Sequence, residues 1–372
     1  MDHITVCIAT CQRPHLLKKL LVSLMIQETQ GEFSFSVVVV DNDIKLSAQD
    51  VVVEFQQKGL DVQYYVEEQK NIALARNLSV KQSHGDWIAF IDDDEFPGEQ
   101  WLFELYFAAQ RYKADIVHGP VFPYFVITPP RWVVCSEYFN PPAIETGSFE
   151  YQKMATNNCL VRSAVLKQTD TPFDPQWGLT GGEDACFFHG ARAQGAIFVW
   201  CAEALVYENI GADRLNLGYF LRRWFRVGNT YILQKLQNVH FGIKIYHFIF
   251  SLFKLVLCLM VFPVFVLIGF FNFRLFREMF QKIISLSGQI SAFFGFCYRE
   301  YDRPVKSSDN GAERGSFQVI IISNGFQPHY IEHFANGLAR NGAVVTLLGS
   351  DIYNPDRLVS GVNFLNIRGS HA

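Results

Sequence analysis

Residues 87–95 read Trp-Ile-Ala-Phe-Ile-Asp-Asp-Asp-Glu, so that five apolar residues are followed at once by four acidic ones. A short apolar run predicts a buried β-strand, which places the acidic residues at its carboxyl end. Adjacent carboxylates repel one another unless a cation joins them. Hard divalent ions such as Mg²⁺ or Mn²⁺ bind carboxylates together with phosphate oxygens. The run therefore predicts a metal–diphosphate site, and the alternative is a solvated turn.

The segments around this run predict an α/β fold with a mostly parallel sheet. Apolar runs at 4–9, 35–40 and 62–66 alternate with helical patterns that begin at Pro14, near 47 and near 71. Strands that are apolar throughout and alternate with helices are typical of a parallel sheet covered on both faces. Ligands of such sheets bind beyond the carboxyl ends of the strands.

Two further polar segments are predicted to lie at this edge. Asp41-Asn42-Asp43 follows the second strand, where a carboxylate can accept hydrogen bonds from a base or ribose, or can simply form an Asx-turn. Gly181-Gly182-Glu183-Asp184 precedes a helical stretch. Paired glycines let a ligand approach the backbone, and a carboxylate beside them can deprotonate an acceptor hydroxyl. The alternative is a helix N-terminus that favours acids through its dipole.

Five segments in this order resemble family 2 glycosyltransferases over residues 3–230. They are Thr10-Cys11-Gln12-Arg13-Pro14, Val40-Asp41-Asn42, Ala75-Arg76-Asn77, Ile91-Asp92-Asp93-Asp94-Glu95 and Gly181-Gly182-Glu183-Asp184. The resemblance implies a GT-A fold with a DxD-type metal motif. It also implies an inverting transfer from a nucleoside-diphosphate sugar, most simply a UDP-sugar, to a lipid-linked or polysaccharide acceptor in cell-surface polysaccharide synthesis.

The resemblance also implies roles for individual residues. The expected nucleotide-sugar-binding residues are Thr10, Arg13, Asp41, Asp43, Arg76, Asp92, Asp93 and Gly182. The expected ligands of Mg²⁺ or Mn²⁺ are Asp92 and Asp94, which form the DxD pair, and Glu208, which stands where many relatives have His. The expected catalytic residues are Asp184, as the general base, and Glu183.

The second half of the chain predicts a membrane-associated region. Residues 243–271 are almost continuously apolar, broken by Lys254 and Pro263, and 274–297 have helical periodicity. A run of ~20 apolar residues is long enough to cross a membrane. We expect either a re-entrant hairpin bent near Pro263 or a full span paired with a weaker one at 279–297. The catalytic domain would then lie on the cytoplasmic face of the inner membrane.

The predicted domains are a GT-A domain at 1–240, membrane-associated helices at 241–298 and a linker at 299–316. Residues 317–372 resemble the start of a GT-B glycosyltransferase, an incomplete Rossmann-type segment. The N-terminus shows no basic stretch followed by an apolar core, so no signal peptide is expected. The eight cysteines contain no CxxC pair, which favours reduced thiols.

Composition narrows the expected partners. The net charge is only -4 and no long basic face is present, so nucleic acid is not an expected partner. The expected partners are a nucleotide-sugar donor, a glycan or lipid-linked acceptor and membrane lipids. Two rival functions remain open. A nucleotidyltransferase usually has a glycine-rich loop after the first strand, whereas 10–13 contain no glycine. A non-catalytic sugar-binding or scaffold subunit would be expected to lose the acidic motif or the base.

Overall fold

The computed structural model describes residues 1–149, 155–237, 239–269 and 271–301, and beyond these three strands and the single residues Asn336 and Leu358. The chain divides into two compact units, Met1–Lys306 and Ser307–Ala372. The predicted boundaries at 240 and 316 stay predictions. Most of the predicted linker at 299–316, together with the segments between the last three strands, lies outside the described residues.

The first unit contains ten strands and ten helices among its described residues. The strands are β1 (Asp2–Thr10), β2 (Phe33–Asp41), β3 (Val62–Val66), β4 (Trp87–Phe90), β5 (Glu95–Pro97), β6 (Ile116–His118), β7 (Val121–Phe125), β8 (Cys159–Arg162), β9 (Phe198–Trp200) and β10 (Val206–Ile210). The helices are α1 (Pro14–Leu24), α2 (Gln49–Gln57), α3 (Ile72–Gln82), α4 (Trp101–Tyr112), α5 (Arg131–Ser136), α6 (Ser163–Leu166), α7 (Glu183–Ala193), α8 (Leu217–Lys235), α9 (Phe241–Gly269) and α10 (Phe273–Phe293).

The main sheet is mostly parallel, as the sequence predicts. Its order is β3-β2-β1-β4-β8-β6-β9, in which only β8 runs antiparallel to its neighbours. Strand β1 lies in the middle and pairs in parallel with β2 and β4. A second, smaller sheet has the order β5-β10-β7. The parallel pairing of β1, β2 and β4 brings their carboxyl ends to one edge.

Apolar side chains fill both faces of the main sheet. On one face, Ile4, Val6 and Ile8 of β1 pack with residues of α1, α2 and α4. On the other, Cys7 packs in a cluster with residues of α3 and α7. Alternate residues of a strand point to opposite faces, so a fully apolar strand is needed where helices cover both sides.

Helices α9 and α10 form an antiparallel hairpin. Ser251 Oγ donates to Gln289 Oε1 at 3.1 Å, and the rings of Phe248 and Phe293 lie 5.2 Å apart. Helix α9 continues through Pro263 to Gly269, so the expected bend near Pro263 is wrong. The chain reverses after α9, where Asn272 accepts a hydrogen bond from the Leu275 amide and caps α10. Proline is tolerated in long apolar helices because neighbouring groups compensate for its missing donor.

Among the described helices, only α9 has the length and composition to cross a membrane. It contains 29 residues, and only 6% of its most apolar stretch is buried. The alternative prediction places a second, weaker span at 279–297, but the described residues there form no helix with the composition of a membrane span. Instead, α10 packs closely on α8 through two glycines. A Cβ on Gly228 would overlap the Ser285 carbonyl, and a Cβ on Gly288 would overlap the Phe225 carbonyl.

We expect Gly288→Ala to lower the thermal midpoint, because the added methyl group forces α8 and α10 apart. Overpacking of this kind typically costs about 1–3 kcal/mol. Gly190→Ala on α7 is the matched control, since its Cβ would meet nothing within 4 Å. Thermal unfolding of both variants in the same detergent tests this. Equal midpoints for the two would show that the helices do not depend on this close approach.

The second unit contains a parallel three-stranded sheet among its described residues. Its strands are β11 (Gln318–Ile322), β12 (Val344–Gly349) and β13 (Val362–Asn366), in that order. Parallel pairing of consecutive strands is compatible with the predicted Rossmann-type segment. Its resemblance to a GT-B glycosyltransferase stays a prediction.

Candidate active site

The carboxyl ends of β1, β2 and β4 bring most of the predicted site residues to one edge. Thr10 and Asp41 are register partners at the ends of β1 and β2. Thr10 Oγ1 donates to Asp93 Oδ2 at 2.8 Å. Arg13, just before α1, places Nη1 at 3.1 Å from Asp93 Oδ1 and 3.3 Å from Asp94 Oδ2. The loop after β1 therefore closes over the acidic run.

The four acidic residues of the run face different surroundings. Asp93, Asp94 and Glu95 are nearly inaccessible, whereas the Asp92 side chain is 46% exposed. The Asp92 amide donates to Glu95 Oε2 at 3.0 Å. The Asp92 carboxylate lies 3.5 Å from Arg76 Nη2. Asp92 is thus the member of the run that a ligand can reach most directly.

Burial, aided by neighbouring negative charge, raises the pKa values of Asp93 and Glu95. Burial raises the pKa of Asp93 to about 6, against the opposing attraction of Arg13. Burial, followed by repulsion from Asp92 and Glu208, raises the pKa of Glu95 well above its usual value. Glu95 and Glu208 are cross-strand partners on β5 and β10, where like charges are unfavourable. The carboxylates at this edge therefore outnumber the arginines that pair with them.

Such an edge has the chemistry that a divalent cation prefers, namely carboxylate oxygens with excess negative charge. In the part of the chain that the structure describes, however, no three acidic, His or Cys side chains gather as a metal site. Of the predicted ligands, Asp94 and Glu208 both pair with Arg214, and Asp92 lies against Arg76. An ion here would take one or two carboxylates and complete its shell with phosphate oxygens and water.

Asp41 has a buried oxygen with no hydrogen-bond partner among the described residues. Its Oδ2 accepts hydrogen bonds from the Ala48 amide at 2.8 Å and the Tyr64 hydroxyl at 2.9 Å. Its Oδ1 is buried and meets no donor among the described residues. Burial raises the Asp41 pKa. Asp43 instead accepts from the Lys45 amide at 3.2 Å, the Asx-turn that was its alternative interpretation.

Asn42 and Asn71 position the helix that carries Arg76. Asn42 donates to the carbonyls of Glu67 and Gln69 and accepts from the Asn71 amide at 2.9 Å. Asn71 in turn caps α3 by accepting from the amides of its first turn. This chain of hydrogen bonds fixes the start of α3 at the sheet edge, so that Arg76 projects towards the acidic run.

Two glycines present the candidate base. Gly181 and Gly182 have φ values of 81° and 97°, which glycine adopts without strain, and α7 begins directly after them. Glu183 is buried and pairs with Arg76. Asp184 is partly exposed, and its Oδ1 accepts from the Ala185 amide at 2.7 Å. Of the two acids, Asp184 is therefore the one within reach of an acceptor.

Arg76 joins the two halves of the site. Its guanidinium contacts Glu183 through Nη1 and Asp92 through Nη2. Burial and the charge of Asp184 raise the pKa of Glu183 to about 7 despite the attraction of Arg76. Glu183 Oε2 has no hydrogen-bond partner among the described residues. In this arrangement anionic groups can bind at Arg76, close to a carboxylate at the start of α7.

Two residues at this edge have no local signal in the sequence. Arg214 bridges Asp94 and Glu208 from a short turn after β10. Tyr301, beyond the helical hairpin, donates its backbone amide to the Leu179 carbonyl at 3.1 Å. A Cβ built on Gly181 would lie 3.7 Å from the Tyr301 ring and 3.2 Å from Arg226. The contacts with Asp94 and Leu179 join residues that are far apart in the sequence, so only the folded structure reveals them.

Comparison with known proteins gives one family match, two similar sequences and a similar solved structure. The model of the family Glycosyl transferase family 2 matches residues 5–167. The succinoglycan biosynthesis protein ExoM of Rhizobium meliloti is 32% identical over 240 residues, which are 64% of this chain and 77% of that protein. Glycosyltransferase GlyA of Streptococcus pneumoniae is 26% identical over 118 residues, which are 32% of this chain and 16% of that protein.

One similarity is to a solved structure, that of S. aureus TarS 1-349 in complex with UDP-GlcNAc. It covers 80% of this chain and 93% of that chain, with 17% identity and a TM-score of 0.48. The family match at 5–167 includes β1 to β8 and the whole acidic run.

Proposed function

The chain belongs to glycosyl transferase family 2, as the sequence segments predict, and from this we propose that it moves a sugar from a nucleoside-diphosphate sugar to an acceptor hydroxyl with inversion. It is a glycosyltransferase with a GT-A type fold. The observation that carries the proposal is Arg76, which contacts both the acidic run and the acid at the start of α7. A donor phosphate bound at Arg76 would then lie at the same edge as the proposed base, Asp184.

The donor is proposed to be a UDP-sugar. Asp41 Oδ1 offers a buried acceptor atom to an N–H or O–H of the base or ribose. Thr10 and Arg13 lie between that carboxylate and the acidic run. Arg76 faces the place where diphosphate would meet Asp92. Gly182 is also a proposed donor-binding residue, and its φ of 97° lets the backbone turn into α7 at this edge.

A bound Mg²⁺ or Mn²⁺ would neutralise charge on the leaving diphosphate. Asp92 and Asp94 are the proposed ligands, and the excess of carboxylates at this edge supports their assignment. Glu208 is a proposed ligand only if it leaves Arg214. Arg13 and Arg76 add fixed positive charge to the same place, which favours an anionic donor before the reaction begins.

Asp184 is the proposed general base. It accepts the proton of the acceptor hydroxyl while the hydroxyl oxygen bonds to the anomeric carbon and the bond to the diphosphate oxygen breaks. Attack opposite the leaving group inverts the anomeric centre, and no covalent intermediate forms. Glu183 holds Arg76 in place from the buried side. The transferring carbon passes through an oxocarbenium-like state, as in other glycosyl chemistry.

The proposed setting is cell-surface polysaccharide synthesis at the cytoplasmic face of the inner membrane, with a glycan or lipid-linked acceptor. The name of ExoM, a succinoglycan biosynthesis protein, supports a polysaccharide product. Helix α9 supports membrane attachment, because most of its apolar residues are exposed apart from those that pack on α10.

Release of nucleoside diphosphate from a panel of nucleotide sugars, with and without Mn²⁺, tests the proposal. We expect release from one sugar nucleotide, dependent on the metal and stimulated by a membrane extract containing acceptor. A nucleotidyltransferase would instead release pyrophosphate from a nucleoside triphosphate and a sugar phosphate. A scaffold subunit would release neither, and each of these results would contradict the proposal.

Removal of the second unit is expected to leave the chemistry intact. A chain ending after Lys306 keeps the whole first unit, including Tyr301 beside Gly181. Its rate of sugar transfer should match that of the full chain. A chain ending after Gly295 is the control, because it lacks Tyr301 and should lose most transfer. Loss of transfer in the longer truncation would show that the second unit takes part in the reaction.

Both termini are expected to face the cytoplasm, because α9 and α10 form a hairpin. Reporter fusions before Ile4 and after Ser316 measure this directly. Reporters on opposite sides would show a single crossing by α9 and would overturn the proposed topology.

A further inference from the structure

A cavity of about 640 Å³ lies where the ends of α8 and α10 meet the start of α9. Small-molecule sites typically measure roughly 300–1,000 Å³. Most of its wall is apolar, and its apolar side chains include Trp177, Leu233, Leu236, Phe241, Ile245 and Phe248. A concave apolar surface of this extent favours a hydrocarbon ligand over water.

The cavity shares a wall with the loop that presents the candidate base. Thr180 lines the cavity, and its Oγ1 donates to the Gly181 carbonyl at 3.1 Å. On the α8 side, Gln234 Nε2 donates to the Gly182 carbonyl at 3.0 Å. A ligand in the cavity would therefore lie beside the loop that leads into α7, the helix that carries Asp184.

The cavity is also continuous with the uncovered apolar surface of α9. Phe241, Lys244, Ile245 and Phe248 of α9 all line it, and their spacing places them on one stripe of the helix. Most of the remaining residues of α9 are exposed, apart from those such as Cys258 that pack on α10. A chain that lies in the bilayer around α9 can thus enter the cavity without crossing water.

A cation stands at this stripe. Lys244 is exposed, and its ammonium group makes no hydrogen bond or ion pair with the described residues. An unpaired ammonium beside an apolar cavity matches a ligand whose hydrocarbon chain ends in a phosphate group. We propose that the cavity binds the hydrocarbon chain of a lipid-linked acceptor, with the acceptor phosphate at Lys244 and the sugar directed to Asp184. The inference rests on the proposed transferase function and names its acceptor class.

Cys297 provides a direct test, because it lines the cavity and is an exposed thiol. Cys135 on α5 is also exposed, lies outside the cavity lining and serves as the internal control. The full chain in phosphatidylcholine nanodiscs is treated with N-ethylmaleimide, with and without geranylgeranyl phosphate. Mass spectrometry of the peptides gives both labelling rates. A saturating probe should slow Cys297 about tenfold, by occupying the site as any ligand does, and leave Cys135 unchanged.

Three results would overturn the inference. The first is an unchanged Cys297 rate with the probe. The second is a Cys297 already unreactive in the probe-free disc, which would mean that phospholipid chains fill the cavity. The third is equal protection by geranylgeraniol, which would remove the role given to the phosphate.

Two variants sharpen the test. Lys244→Gln, at an exposed position, should weaken protection by the phosphate probe without disturbing the fold. Leu236→Trp, at the end of α8, should narrow the cavity and abolish protection. Val227→Trp, at an exposed position within α8, should not. Unchanged protection in both Lys244→Gln and Leu236→Trp would contradict the proposed site.

The labelling needs no donor and no turnover, which separates this inference from the proposed function. Protection of Cys297 in a chain that turns over no nucleotide sugar would leave the cavity assignment standing and sink the proposed function. Metal-dependent release of nucleoside diphosphate without any protection of Cys297 would do the reverse.

Discussion

Asp184→Asn is expected to bind the nucleotide sugar as the unaltered chain does and to lose about 10²–10⁴-fold in turnover, the usual contribution of a general base. The amide keeps the volume of the side chain and its hydrogen bond to the Ala185 amide, but it cannot accept the acceptor proton. Single-turnover transfer, measured beside donor affinity, separates the two effects. A variant that retains most of its turnover would remove Asp184 from the mechanism.

Glu183→Gln is the matched control for this prediction, since it changes the neighbouring acid in the same way. Glu183 is buried and pairs with Arg76, so its loss should weaken donor binding through a misplaced guanidinium. We therefore expect a raised KM for the donor with a smaller fall in kcat. If Glu183→Gln instead loses more turnover at saturating donor than Asp184→Asn, then Glu183 is the base.

The second large effect is expected from Asp94→Asn, which should abolish metal-dependent donor binding. The change removes a ligand charge without changing volume. The fold should survive, because each guanidinium keeps another carboxylate: Arg13 retains Asp93 at 3.1 Å, and Arg214 retains Glu208. Calorimetric titration of the nucleotide sugar selected by the panel, with Mn²⁺ and with chelator, measures the effect.

Asp93→Asn is a close control for Asp94→Asn. The two side chains are equally buried and both pair with Arg13. Asp93 accepts a hydrogen bond from Thr10 and is not one of the proposed metal ligands, so its amide variant should keep the Mn²⁺ dependence of donor binding. Near-normal Mn²⁺ affinity in Asp94→Asn, or an equal loss in both variants, would contradict the assignment of Asp94 as a ligand.

The first half of the sheet is predictable from sequence because its strands are apolar throughout and helices separate them. The predicted runs at 4–9 and 62–66 match Asp2–Thr10 and Val62–Val66 closely. Strands β6, β8 and β9 contain only three or four residues each, too few to show a period. Their place in the sheet comes from pairing between distant segments, which no local pattern encodes.

The candidate site shows the same division. The acidic run and the paired glycines are visible locally, because charge and glycine stand out after apolar strands. The partners that organise them are not. Arg214 reaches Asp94 only because β10 pairs with β5, and Arg76 reaches Glu183 only because α3 and α7 start at the same edge. The bend expected at Pro263 is wrong because the helix tolerates its missing amide.

The position of Tyr301 has a consequence for the order in which the protein is made. Every strand of the two sheets in the first unit precedes Gly211, whereas Tyr301 follows the helical hairpin. Chains emerge from the ribosome N-terminus first, and early segments fold first. A nascent chain can therefore build its sheet and acidic edge long before Tyr301 exists, and it places that ring beside Gly181 only after α9 and α10 have been synthesised. In the unfinished chain the edge beside Gly181 therefore stays open until the hairpin and Tyr301 have been translated.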